Sequence, residues 1–159
     1  MKVEHAQRLG QQDQRSLALW AADCAEHVLP FFEENFPADD RPRQAIEAAR
    51  AWVRGEIRCG QARAAAVAAH AAARTADEGA ARAAARATGH AAGTAHMAGH
   101  ARHAAAYAVK AATAAARPTA AARPTAAAAA TTTERDWQYQ RLPEHLRPAV
   151  ARGSLAPNA

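Results

Sequence analysis

Large apolar side chains are scarce in this chain of 159 residues, which has three Trp, three Phe, two Tyr and two Met. Alanine supplies 52 residues, so although half the chain counts as hydrophobic, its mean hydropathy is only −0.37. No window offers about 18 strongly apolar residues in a row, so the sequence predicts no membrane span. Cysteine is limited to Cys24 and Cys59, with no CxxC, which excludes a disulfide scaffold. Lysine is limited to Lys2 and Lys110; the other eighteen of the twenty basic residues are arginine. No Asp or Glu occurs between residues 79 and 133. The opening MKVEHAQRLGQQDQR has no apolar core of a signal peptide, so the expected location is the cytoplasm, with reduced thiols. P-loop, GxGxxG, HExxH and GxSxG motifs are all missing, and no cofactor is implied.

What is present is helix-forming. Alanine is the best helix former and is depleted in strands, so the composition excludes an all-β domain and predicts an all-α one. Leu17, Trp20, Ala21, Cys24, Val28 and Phe31 recur at spacings of three and four, which predicts a first helix from Asp13, its cap, to Asn35. Pro30 lacks an N–H and predicts a kink or break in it. A second helix follows the turn PADDRPR, with Asp39 or Asp40 as cap, Pro42 in the first turn and Gly55 as a left-handed stop. Its buried face is Ala45, Ile46, Ala49, Trp52 and Val53. Three more helices are predicted over 61–75, 78–97 and 100–116, with seams of small residues. Trp20, Trp52, Phe31, Phe32 and Tyr107 must then supply much of the hydrophobic term, because a large buried side chain contributes about 1.5–3 kcal/mol against under 1 for a methyl.

Residues 114–133 differ in kind. Ala114–Thr119 and Ala120–Thr125 are both AAARPT, followed by five alanines and three threonines. Each proline biases the arginine before it away from helix, so the tract reads as an extended, low-complexity linker. Beyond it, Trp137, Leu142, Leu146 and Val150 regain helical spacing. The predicted organisation is therefore a bundle over 1–113, a linker over 114–133 and a C-terminal segment over 134–152 that docks back through Trp137.

Charge is uneven: residues 1–60 carry net −2, residues 61–113 net +4 and residues 114–159 net +3. The basic second half suits an acidic partner or nucleic acid, although its arginines are spaced singly. Glu33, Glu34, Asp39 and Asp40 make one dense acidic turn, a solvated loop or a docking patch for a basic partner surface. His96, His100 and His103 stand at i, i+4 and i+7, a spacing that on an unbroken helix suits a shared metal ion, with His70 and His90 as further ligands. Gly99 interrupts that face, and no carboxylate is near to orient a ring. The residues therefore favour histidines filling an alanine-lined seam, hydrogen-bonded to backbone or to each other. Cys24 and His27 sit at i, i+3, but the thiol faces the predicted core and reads as inert. Asp23 reads as a helix-face partner of His27. No catalytic residue is assigned.

Four stretches, taken in order, resemble a known group. They are LALWAADCAEHVLPFFEENFP (Leu17 to Pro37), RPRQAIEAARAWVRGE (Arg41 to Glu56), AAHAAAR (Ala68 to Arg74) and ATGHAAGTAHMAGHARHAAAYAVKAA (Ala87 to Ala112). The chain resembles the bacterial putative immunity proteins of the immunity-protein-five-like group. The likeness returns at WQYQRLPEHLRP (Trp137 to Pro148), while the AAARPT tract departs from it as an insertion. The resemblance implies a small all-α cytoplasmic protein of a polymorphic toxin system that binds a cognate toxin and blocks it; it supplies no residue roles. The leading expectation is thus a non-enzymatic toxin-binding module. The alternatives are a basic nucleic-acid-associated protein and a histidine-based metal or ligand binder.

Overall fold

The structure, a computed structural model, describes residues 9–117 and 124–151. Among them are eight α-helices, one 3₁₀ turn and no strand. The helices are α1 (Gln11–Val28), α2 (Pro30–Glu33), α3 (Arg41–Val53), α4 (Cys59–Thr75), α5 (Ala80–Gly93), α6 (His100–Ala115), α7 (Pro124–Arg141) and α8 (Arg147–Ala151). The 3₁₀ turn, Glu144–Leu146, precedes α8. The all-α class read from composition is the observed one.

Helix α5 is the central element, packed on α1, α2, α3, α4 and α6. Nine of its fourteen residues are buried, all of them Ala, Gly or Thr. A helix with small residues round most of its circumference can be covered on several sides, and small side chains let the covering axes come close. The seam continues through Ala45 of α3, Ala66 and Ala69 of α4 and Ala92 of α5. Large side chains collect beside it. Leu17, Val28, Leu29, Phe32 and Ile46 are almost fully buried, and Trp20 is 5% exposed. Phe31 and Tyr107 pack against that core while half-buried, and Trp52 and Val53 are less covered than their place on the predicted stripe suggests.

Pro30 breaks the first predicted helix as expected, and it does so as the first residue of α2, where its missing N–H costs nothing. Asp13 is not the cap of α1. Gly10 precedes the helix, and the Asp13 carboxylate instead lies 2.9 Å from His145 near the other end of the chain. Asp40 sits at the cap position of α3 without a side-chain cap bond; Asp39 accepts from the Arg41 backbone N–H at 3.2 Å instead. Gly55, at φ 74°, stops α3 as its sequence position implied. Helix α5 ends at Gly93 rather than near Met97, because the Thr94 hydroxyl turns back to the His90 carbonyl and Gln14 of α1 donates to the Thr94 and Ala95 carbonyls.

The repeat tract is corrected in part. Residues 118–123 lie outside the described residues, but from Pro124 onward the expected linker is helix, continuous with the Trp137 segment. Proline is tolerated in a first turn, and the five alanines that follow have the highest helix propensity available. Ala127 is buried, and the Thr131 and Thr113 hydroxyls are hydrogen-bonded across α7 and α6.

The far half of α7 docks through polar side chains. Trp20 Nε1 donates to the Gln138 carbonyl at 2.9 Å, and Gln138 Nε2 donates to the Ala105 carbonyl of α6 at 2.9 Å. Buried Glu134 pairs with His27 Nδ1 at 2.8 Å, so His27 faces α7 and not Asp23. The Trp137 indole stacks on the His27 ring at 3.8 Å, with the Arg141 guanidinium 3.9 Å from the indole centre. Both are too close to share one face, so the indole is held between them. Since Trp137 is half-buried, Trp137→Ala should cost about 2–3 kcal/mol, below the 3–5 of a fully buried tryptophan. Chemical denaturation checks this, and a loss under about 0.5 kcal/mol would show that α7 does not rely on the stack.

Candidate functional site

The residues singled out by sequence fall into two groups on different elements. The first is a cluster of rings where α4, α5 and α6 meet. His90 of α5 lies at its centre, with ring-to-ring distances of 4.9 Å to His70, 5.2 Å to His100 and 5.3 Å to both His103 and Tyr107. Tyr107 lies nearly parallel to it, at 10°. His90 Nδ1 and His100 Nδ1 are hydrogen-bonded at 2.9 Å. One must donate and the other accept, so they cannot both carry a proton on those atoms.

Two glycines make room for these rings. A Cβ at Gly89 would lie 2.7–2.9 Å from three atoms of the His70 ring, and one at Gly93 would meet the His100 ring at 3.1 Å. The imidazoles therefore lie on bare backbone. This is the part of the arrangement that sequence reasoning missed; Gly89 and Gly93, one helical turn apart in GHAAG, were its signal. His96 does not join the cluster. It is exposed in the turn between α5 and α6, because α6 begins only at His100. Among the described residues, no three His, Cys, Asp or Glu side chains are grouped so as to hold a metal ion. The imidazoles instead pack edge-on or tilted against each other, with one hydrogen-bonded pair.

Burial pushes the pKa of His90 down to about 3, helped by the neighbouring His70, His100 and His103 and by Arg86. Burial also lowers His70, with Arg86, His100 and Arg74 adding to it, and lowers His100, with His103 and His96 adding. His70, His90 and His100 are therefore neutral near pH 7. Cys24 is fully buried, and burial raises its thiol pKa far above the usual range, so it is inert as a nucleophile.

The second group is the acidic turn at the α2–α3 junction. Glu33 forms a two-bond pair with Arg43, at 2.7 and 3.0 Å, and Asp39 a two-bond pair with Arg41, at 2.8 and 2.7 Å. Glu34 and Asp40 form no ion pair among the described residues. Behind them, Arg50 pairs with Asp23 at 3.0 Å, with Glu47 at 3.6 Å and with Glu26. The arginine contacts hold the Glu26 and Asp39 carboxyls below the usual carboxylate range. The acidic face is thus wider than the turn, and arginines of α3 neutralise part of it.

Compared with known families, residues 7–145 match the model described as Imm-5 like putative immunity protein. The chain belongs to that family. Neither the curated proteins nor the solved structures contain a match. In this Imm-5 like protein the match runs from just before α1 into the 3₁₀ turn, so it takes in both the ring cluster and the acidic turn. No helix among its described residues is long and apolar enough to cross a membrane.

The ring cluster makes stability depend on pH with a definite sign. An unfolded histidine takes a proton below about 6.5, whereas His90 in the fold resists it until about 3, so stability falls as pH drops between these values. The slope is at most about 1.4 kcal/mol per pH unit per histidine. Urea midpoints measured between pH 7 and 5 should fall, and His90→Phe should flatten the decline; an unchanged slope in the variant would remove His90 as the cause. The glycine bed gives a second expectation. Gly89→Ala should push the His70 ring aside and destabilise by about 1–2 kcal/mol, after about 1 kcal/mol of gained helix propensity. His70→Ala should then cost less in the Gly89→Ala background than in the parent, with a coupling of at least about 0.5 kcal/mol. Strict additivity would mean that the two sites do not touch.

Proposed function

We propose that the chain acts as an immunity protein that binds a cognate bacterial toxin in the cytoplasm and neutralises it by covering its surface, without chemistry of its own. The family match over residues 7–145 carries this reading. Two features support it. The inert, buried Cys24 suits a binding protein better than a catalyst. The segregated charge suits recognition of another macromolecule, since complementary potentials steer encounter and suppress wrong partners. Co-expression with a toxin encoded beside it should restore growth to a host that the toxin alone arrests. A host that stays arrested despite soluble, folded chain would count against the proposal.

The acidic turn is the proposed steering element, with Glu34 and Asp40 as its unpaired charges. Glu33→Gln with Glu34→Gln leaves both α3 cap positions intact and removes one exposed ion pair, a loss of about 0.2–1 kcal/mol that the fold survives. Association with the toxin should slow at low salt and converge with the parent at high salt, where charges further apart than a Debye length are screened. Stopped-flow or surface-binding kinetics read this directly, and equal rates at low salt would move the interface elsewhere on the protein.

A further inference from the structure

The cations of α5, α6 and α7 contrast with those of α3. Arg41, Arg43, Arg50 and Arg54 each lie against a carboxylate. Arg86, Lys110, Arg117 and Arg135 form no ion pair among the described residues, and they line one continuous concave surface. A cleft of about 340 Å³ between α5 and α6 holds Arg82, Arg86 and Lys110 around Tyr107. A shallower trough of about 800 Å³ between α6 and α7 holds Lys110, Arg117 and Arg135. Gly79 and Lys110 line both, so the two are one surface. Its one carboxylate, Glu78, is 92% exposed and reaches Arg82 at 3.6 Å. The start of α5 has no side-chain cap, and its positive end adds to the same potential.

We propose that this trough seats an acidic, partly apolar segment of the partner protein. The proposal deepens the immunity reading, on which the identity of that partner as a toxin rests. Like charges gathered on a concave surface repel one another, and no carboxylate of the described fold pairs with these four, Arg86 and Lys110 having only the face of Tyr107 at 5.9 Å; an anionic partner would. The floor between the cations is apolar, formed by Ala106, Val109 and Ala114. It asks for hydrophobic side chains flanked by carboxylates. Tyr107 and Ala114 are seven residues apart on α6, about two turns and roughly 10 Å, which matches two turns of an amphipathic helix. Nucleic acid fits less well. A duplex backbone brings phosphates and no apolar ridge for this floor, and the one aromatic ring at the trough, Tyr107, is stacked on His90 and has Arg86 and Lys110 over it at 5.9 Å. A second copy of the chain fits less well too, because most of its acidic face, Glu34 and Asp40 apart, is already bridged by its own arginines.

The test uses the full chain and three labelled probes of similar length. These are a synthetic peptide with a glutamate face and a leucine ridge, the same peptide with glutamine for glutamate, and a mixed-sequence DNA duplex. Fluorescence anisotropy at low and near-physiological salt should give the acidic peptide at least a ten-fold tighter Kd than either other probe. Lys110→Glu with Arg135→Glu should weaken it at least ten-fold while circular dichroism and melting stay unchanged, since both side chains are exposed. Equal binding by parent and variant would overturn the proposal, as would a duplex that binds tighter than the peptide. So would a concentration-dependent dimer, seen by sedimentation, that the double substitution abolishes. The peptide measurement needs no toxin, so its failure leaves the immunity reading standing. Success with the peptide but no protection against the neighbouring toxin would remove the immunity reading and keep the trough.

Discussion

Everything in this fold depends on how closely five helices approach α5. That approach is possible because α5 presents methyl groups, glycine hydrogens and one threonine to its neighbours. Each buried methyl contributes under about 1 kcal/mol, so the seam sets geometry more than it drives folding. The driving force comes from the fringe, where Leu17, Leu29, Phe32, Ile46 and Leu146 are sealed and Trp20 nearly so. A division of labour follows: small residues fix the spacing, and a few large ones at the edges supply the energy.

The same spacing explains why a half-buried cluster of histidines is tolerated. Imidazoles are too large for an alanine seam unless a neighbour gives way, and at Gly89 and Gly93 the neighbour has no side chain at all. His90 and His100 then satisfy one another through the Nδ1–Nδ1 bond, Tyr107 stacks on His90, and His70, His90 and His100 stay uncharged. A neutral polar cluster of this kind avoids the large penalty of burying an unpaired charge.

The sequence made the helical class and the place of most helix ends legible, because alanine content, Pro30, Gly55 and Gly99 act locally. It misled where a long-range partner outbid a local rule. Asp13 left its cap role for His145, and His27 turned from Asp23 to Glu134. The alanine run after Pro124 misled differently: the prolines drew attention, but the helix needed only the residues that follow them. Of the candidate sites, the histidines were recognisable by type, whereas their grouping needed α4 and α5 to be laid side by side. The basic trough was visible only as a net charge, since spacing along the chain does not reveal which cations share a surface.

Charge in this protein is carried almost wholly by arginine, whose guanidinium stays protonated at every physiological pH and offers no nucleophilic nitrogen. Lys110 stands apart as the one primary amine among the described residues' side chains, and it lies at the junction of the cleft and the trough. Among the described residues, amine-directed chemistry, whether enzymatic acylation or a laboratory cross-linker, therefore falls on the middle of this cationic surface. A single modification there would take one positive charge away from the junction of the two concavities.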